Sequence, residues 1–104
     1  MISTKKHSTP ASWTFLTNHS HVLMCLHRDS QIRLRDVADE VGITERAVQR
    51  IIQELEEAQV ITRQREGRRN QYRVNTRSHL RHSLESHCTV GDLLKMVDRS
   101  RSSQ

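Results

Sequence analysis

The chain has 104 residues, of which 34% are hydrophobic and only 3% aromatic. That is enough for one domain with a small core, and it leaves little to build a buried catalytic cleft as well. Lys and Arg number 17 against 12 Asp and Glu, a net charge of +5, and such a balance favours a polyanionic partner through long-range attraction and counterion release.

Residues 1–11 are polar and are expected to form a loosely attached arm. Residues 12–75 read as the folded domain, 76–99 as a connector with a last helix, and 100–104 as a second flexible tail. Trp13, Phe15 and Leu16 are expected to fold back on the core. A first helix is expected over Asn18–Arg28, with Asn18 as N-cap and Val22, Leu23 and Leu26 as its apolar stripe. Cys25 lies in the same apolar run and reads as core. Asp29 and Ser30 end the helix, and Gln31 to Leu34 has room for one brief strand.

The second helix is expected over Arg35–Val41, with Val37, Ala38 and Val41 inward. Gly42 then supplies the left-handed backbone that ends a helix at least cost. Thr44 caps a third helix, Glu45 to Ala58. Val48, Ile51, Ile52 and Leu55 recur at i, i+3, i+4 and i+7, one apolar face. The period then changes. Val60 to Arg65 and Gln71 to Asn75 read as two short strands, with Val60, Ile61, Tyr72 and Val74 as their apolar positions. Glu66, Gly67, Arg68, Arg69 and Asn70 form the loop between them. A His-, Arg- and Ser-rich connector follows over 76–88, anchored by Leu80 and Leu84. The last helix starts near Thr89, where Thr89 and Asp92 form a capping box. The fold class is mainly α with a small β-hairpin wing.

Helix, short strand, helix, tight turn, helix and hairpin, in that order, carry a resemblance. The segment LRDVADEVGITERAVQRIIQEL, Leu34 to Leu55, followed by VITRQREGRRNQYRV, Val60 to Val74, resembles the small bacterial winged helix-turn-helix transcriptional regulators of the MarR-like and ArsR-like kind. The spacing has a physical basis. Ala38 lets the second and third helices approach, Gly42 makes the sharp turn, Ile43 plugs the junction and Val48 closes the packing. The resemblance implies a regulator that binds double-stranded DNA, with the third helix in the major groove. Thr44, Glu45, Arg46, Gln49 and Arg50 are then the candidate contacts. Arg46 and Arg50 offer forks to guanine, and Gln49 pairs with adenine. Glu45 is equally a helix-start carboxylate. Arg35 is the candidate backbone contact of the second helix. The wing candidates are Arg63, Arg65, Arg68, Arg69, Asn70 and Arg73, placed on the backbone or in the minor groove. Glu54, Glu56 and Glu57 are expected to face away from DNA.

Val90, Leu93, Leu94 and Val97 make a stripe on the last helix that either meets a second subunit, giving a homodimer, or covers the chain's own core. Rival readings remain. His79, His82, His87 and Cys88, with Asp92, hold donors suited to zinc or copper, as in a metal-responsive repressor, although Val37 to Val41 lacks the cysteine some such regulators carry. A winged helix also serves as a protein-contact module. No phosphate loop, nucleophile elbow or carboxylate pair points to an enzyme, and no cofactor is expected. Two cysteines without a CxxC pair read as reduced thiols. No signal peptide and no membrane span is apparent, so the cytoplasm is the expected location. A small-molecule effector is left open.

Overall fold

The computed structural model describes residues 12–102. The expectations for 1–11, and for the last two residues, lie outside that range. The elements run α1 (Asn18–Arg28), α2 (Leu34–Val41), α3 (Glu45–Glu57), β1 (Ile61–Glu66), β2 (Arg69–Val74) and α4 (Val90–Ser102). This is the expected class: helices with a two-stranded antiparallel hairpin.

The helices form where their stripes predict, and their ends follow from caps. α1 is capped by Thr17, not Asn18. Thr17 has extended backbone and its hydroxyl accepts from the Ser20 amide. Asn18 is already helical, and its carboxamide oxygen bonds the His21 ring instead. α2 begins one residue earlier than expected, at Leu34, and ends at Gly42 with φ 86°. The Gly42 and Ile43 amides both donate to the Ala38 carbonyl, which closes the tight turn into α3. α3 ends in a Schellman arrangement. The Val60 amide donates to Leu55 and the Gln59 amide to Glu56, and Gln59 takes a left-handed φ of 63°. Leu55 and Val60 are both buried, which supplies the apolar contact that accompanies this motif.

The core is drawn from every element: Val22, Leu23, Cys25 and Leu26 of α1, Val37 and Ala38 of α2, Val48, Ile51, Ile52 and Leu55 of α3, with Val60, Ile61, Tyr72, Val90 and Leu94. The segment 31–33 is not a strand. Asp29 folds it into a turn by accepting the Gln31 amide on its side chain, and the Ser30 carbonyl then accepts the Tyr72 amide of β2.

The hairpin is tighter than expected. Arg65 pairs with Asn70 and Glu66 with Arg69, so Gly67 and Arg68 alone make the turn. Gly67 has φ 61° and Arg68 is not in the left-handed region, the sign pattern of a type II′ turn.

The connector is ordered. Its Ser78 and Thr76 carbonyls accept the Val90 and Gly91 amides, and Thr89 and Asp92 form the expected reciprocal cap of α4. Gly91 permits this approach, since a Cβ there would lie 3.0 Å from the Thr76 carbonyl oxygen. Leu80 is half-buried against the core, but Leu84 is exposed and anchors nothing. α4 runs on through Ser102, so residues 100–102 are helical rather than a tail. One more expectation is overturned. Trp13 and Phe15 do not return to the core: they are 66% and 91% exposed. Val90 and Leu94 are each 3% exposed inside the chain's own core, so half of the α4 stripe is unavailable to a partner.

Candidate nucleic-acid interface

α3 is two-sided for a simple reason. Positions 48, 51, 52 and 55 share one face and are buried; positions 45, 46, 49 and 50 fall on the other and are exposed. Its N-terminus is fixed by Thr44, whose hydroxyl accepts the Ala47 amide at 3.0 Å. That hydroxyl is therefore committed to the cap. Arg46, Gln49 and Arg50 form no hydrogen bond or ion pair within the described residues, and they stand exposed on one rigid helical face. Arg35 is likewise exposed in the first turn of α2.

The far end of α3 has the opposite character. Glu54, Glu56 and Glu57 crowd a helix C-terminus, where the macrodipole disfavours carboxylates. Each is tied to a neighbour. His19 hydrogen-bonds Glu54 at 2.7 Å and holds its carboxyl below the usual range. Arg63 donates to Glu56 at 3.0 Å, and Gln53 donates to Glu57 at 3.2 Å.

The six wing candidates do not form one cluster. Cross-strand partners share a face, and alternate residues change face. Arg63, Arg65 and Asn70 lie on the side of the hairpin that carries Ile61 and Tyr72, while Arg69 and Arg73 lie on the other. Two of the arginines are held by the body of the protein: Arg63 by Glu56, and Arg69 by the Gln31 carbonyl at 3.0 Å. Arg65 reaches back to the Gly67 carbonyl at 3.4 Å, and Asn70 donates to the Tyr72 hydroxyl at 3.4 Å. Arg68, at the turn, and Arg73 have no such partner among the described residues. These struts could not be read from spacing, because they join residues 7 and 38 positions apart.

The remaining candidates are scattered. Among the described residues no group of three His, Cys, Asp or Glu side chains is placed to hold a metal. His79 bonds the Ser86 carbonyl and His82 accepts the Leu84 amide, so both rings organise the connector. One cluster was missed by sequence reasoning. Buried Cys25 donates to Glu40 at 3.4 Å, and Arg28 pairs with the same carboxylate. Burial first, then Glu40, pushes the Cys25 thiol up to about 11.

A tight turn crossing α2 with α3, an exposed cationic face on α3 and a hairpin behind it define a winged helix-turn-helix. Residues 17–62 match the family model described as winged helix-turn-helix DNA-binding. Among solved structures, the chain is similar to MepR, a transcription regulator of the Staphylococcus aureus multidrug efflux pump MepA. The identity is 17% and the TM-score 0.52, over 85% of this chain and 64% of that one. It is also similar to ZitR of Lactococcus lactis, a zinc-responsive MarR family member, at 18% identity and TM-score 0.48, over 72% and 52% of the two chains. At such identities the likeness to MepR is one of fold, and this chain spans less than two thirds of either neighbour's length. No curated protein matches it. No described helix is long and apolar enough to cross a membrane.

Proposed function

We propose that this chain binds duplex DNA sequence-specifically and regulates transcription, with α3 in the major groove and the wing on the flanking backbone or minor groove. One observation carries the reading. Arg46, Gln49 and Arg50 stand exposed, without a hydrogen bond or salt bridge among the described residues, on a single face of a helix whose opposite face is buried in the core. Side chains on a fixed helix that hold no hydrogen bond within the described residues meet base edges without first breaking one. Three of the four carboxylates of α3, Glu54, Glu56 and Glu57, are gathered at its other end and occupied there, while Glu45 stands exposed in the first turn. Regulation, as distinct from binding, draws support from the description of MepR. The active species is a homodimer, which sets two recognition helices about 34 Å apart on successive turns of the duplex.

Binding to random duplex DNA is the first test. Affinity should fall steeply between 50 and 200 mM salt, as counterion release requires. Absence of binding in low salt would instead favour a winged helix that meets a protein.

A further inference from the structure

At the base of the hairpin, the end of α3, both strands and the start of the connector border a groove of about 600 Å³. Arg73 of β2 and Arg77 of the connector both line it. Both are exposed, and neither guanidinium holds a hydrogen bond or ion pair among the described residues. The backbone beneath them is fixed. Arg73 is paired with Thr62 in the hairpin. Asn75 sets the turn that carries Arg77. Its amide donates to the Val60 carbonyl at 2.7 Å, its side-chain oxygen accepts the Arg77 amide at 3.2 Å, and its carboxamide nitrogen donates to the Gln59 carbonyl at 3.5 Å. The Thr62 and Thr76 hydroxyls line the same groove and form no hydrogen bond among the described residues. The carboxylate that lines it, Glu56, already accepts from Arg63 at 3.0 Å. The groove therefore presents two positive charges that no acid among the described residues pairs with.

We propose that this groove is a second binding site, which takes a small phosphorylated molecule and is separate from the surface that meets duplex DNA. Charge selects the class. A phosphate monoester carries about −1.5 to −2 charges near neutral pH, so one group matches two guanidiniums, whereas a carboxylate matches one. Each guanidinium offers a planar fork to two phosphate oxygens, and the two threonine hydroxyls are donors for a third. Because these side chains hold no bond among the described residues, binding exchanges only their hydration. The volume suits a ligand of metabolite size, for which clefts run about 300–1,000 Å³. Position separates the groove from the recognition face. Glu56 lies about 15 Å along α3 from Arg46, at 1.5 Å rise per residue. Arg73 lies about 13 Å back along β2 from Arg69, which flanks the hairpin turn. Arg73 is thereby reassigned from the wing's DNA contacts to this site.

The test uses inorganic pyrophosphate and the full chain without DNA, so its failure is separable from failure of the DNA-binding reading. Isothermal titration calorimetry at a constant ionic strength of about 150 mM should show one saturable site per chain. Arg73→Ala and Arg77→Ala should each raise the dissociation constant about tenfold or more, since each removes a charge-assisted fork. Arg68→Ala, equally exposed but outside the groove, should leave it unchanged. Circular dichroism of all three variants should match that of the wild type. Amide resonances of Thr62 and residues 75–77 should move on titration while those of residues 46–50 stay. No saturable binding at millimolar pyrophosphate overturns the proposal. So does an equal loss in Arg68→Ala, which marks a general basic surface, and so do resonance shifts confined to residues 46–50. A last arm separates free phosphate from the DNA backbone. Arg77→Ala should leave the salt slope of duplex binding unchanged, and a fall of about 0.9 assigns the groove to the duplex and overturns the proposal.

Discussion

The wing arginines differ in what they hold, and this divides their roles in a measurable way. Arg68 sits in the hairpin turn with no partner among the described residues, whereas the Arg69 guanidinium is engaged by the Gln31 carbonyl 3.0 Å away. A guanidinium that neutralises a phosphate adds about 0.9 to the slope of log affinity against log salt. Arg68→Ala should therefore lower that slope by about 0.9, so the affinity lost between 50 and 200 mM salt shrinks by roughly 3.5-fold. Arg69→Ala should leave the slope unchanged. It should still weaken binding by roughly tenfold or less, since one charge-assisted hydrogen bond holding the wing to the α1–α2 loop is lost and is partly exposed to water. Fluorescence anisotropy on a random labelled duplex at four salt concentrations reads both quantities. If Arg69→Ala lowers the slope as much as Arg68→Ala does, its guanidinium leaves Gln31 for a phosphate and the division of roles is wrong.

Backbone strain gives a paired prediction. Gln59 is held at φ 63°, so Gln59→Gly should stabilise the fold by about 0.5–1 kcal/mol, while Gly42→Ala, at φ 86° with nothing within 4 Å of the added Cβ, should cost about 1–2 kcal/mol from conformation alone. Chemical denaturation checks both. The Cys25 thiol, pushed up to about 11 and buried, should react with a thiol reagent at pH 8 only as fast as the protein opens, while partly exposed Cys88 reacts first. The Asp92 carboxyl is lowered mainly by the Thr89 amide, so its folded pKa lies below its unfolded one. Its contribution is complete above the unfolded carboxylate pKa and is lost as pH falls through the folded one. Asp92→Asn should therefore flatten the acid limb of thermal stability below about pH 4 and change it least there.

The helices were legible because their information is local. Val48, Ile51, Ile52 and Leu55 announce a face by period alone, and Gly42 marks its turn by what only glycine does cheaply. Where two residues compete for one local role, the pattern does not decide. Thr17 and Asn18 are both good caps, and the extended backbone at Thr17 settles it. The hairpin loop was read too long because the strand pairing of Arg65 with Asn70 and Glu66 with Arg69 is a cross-strand fact hidden among polar residues. Hydrophobic type misled at Trp13, Phe15 and Leu84, where apolar character was taken to mean core. At Val90 and Leu94 the stripe covers the chain's own core, one of the two readings its period allowed. The candidate contacts on α3 followed directly from the buried face, since what is not buried on an amphipathic helix is what it presents. The restraints on Arg63 and Arg69 needed the fold.

The central claim is that α3 reads base edges. Binding sites should be selected from a random duplex pool with the wild-type chain, and the affinity for the selected site compared with that for random DNA. Arg46→Ala and Arg50→Ala should each cost about 1–3 kcal/mol at the selected site while changing random-duplex affinity far less, so that preference relaxes at one position of the site. If both variants weaken selected and random DNA equally, or if no site emerges from the pool, α3 does not read sequence and the account fails.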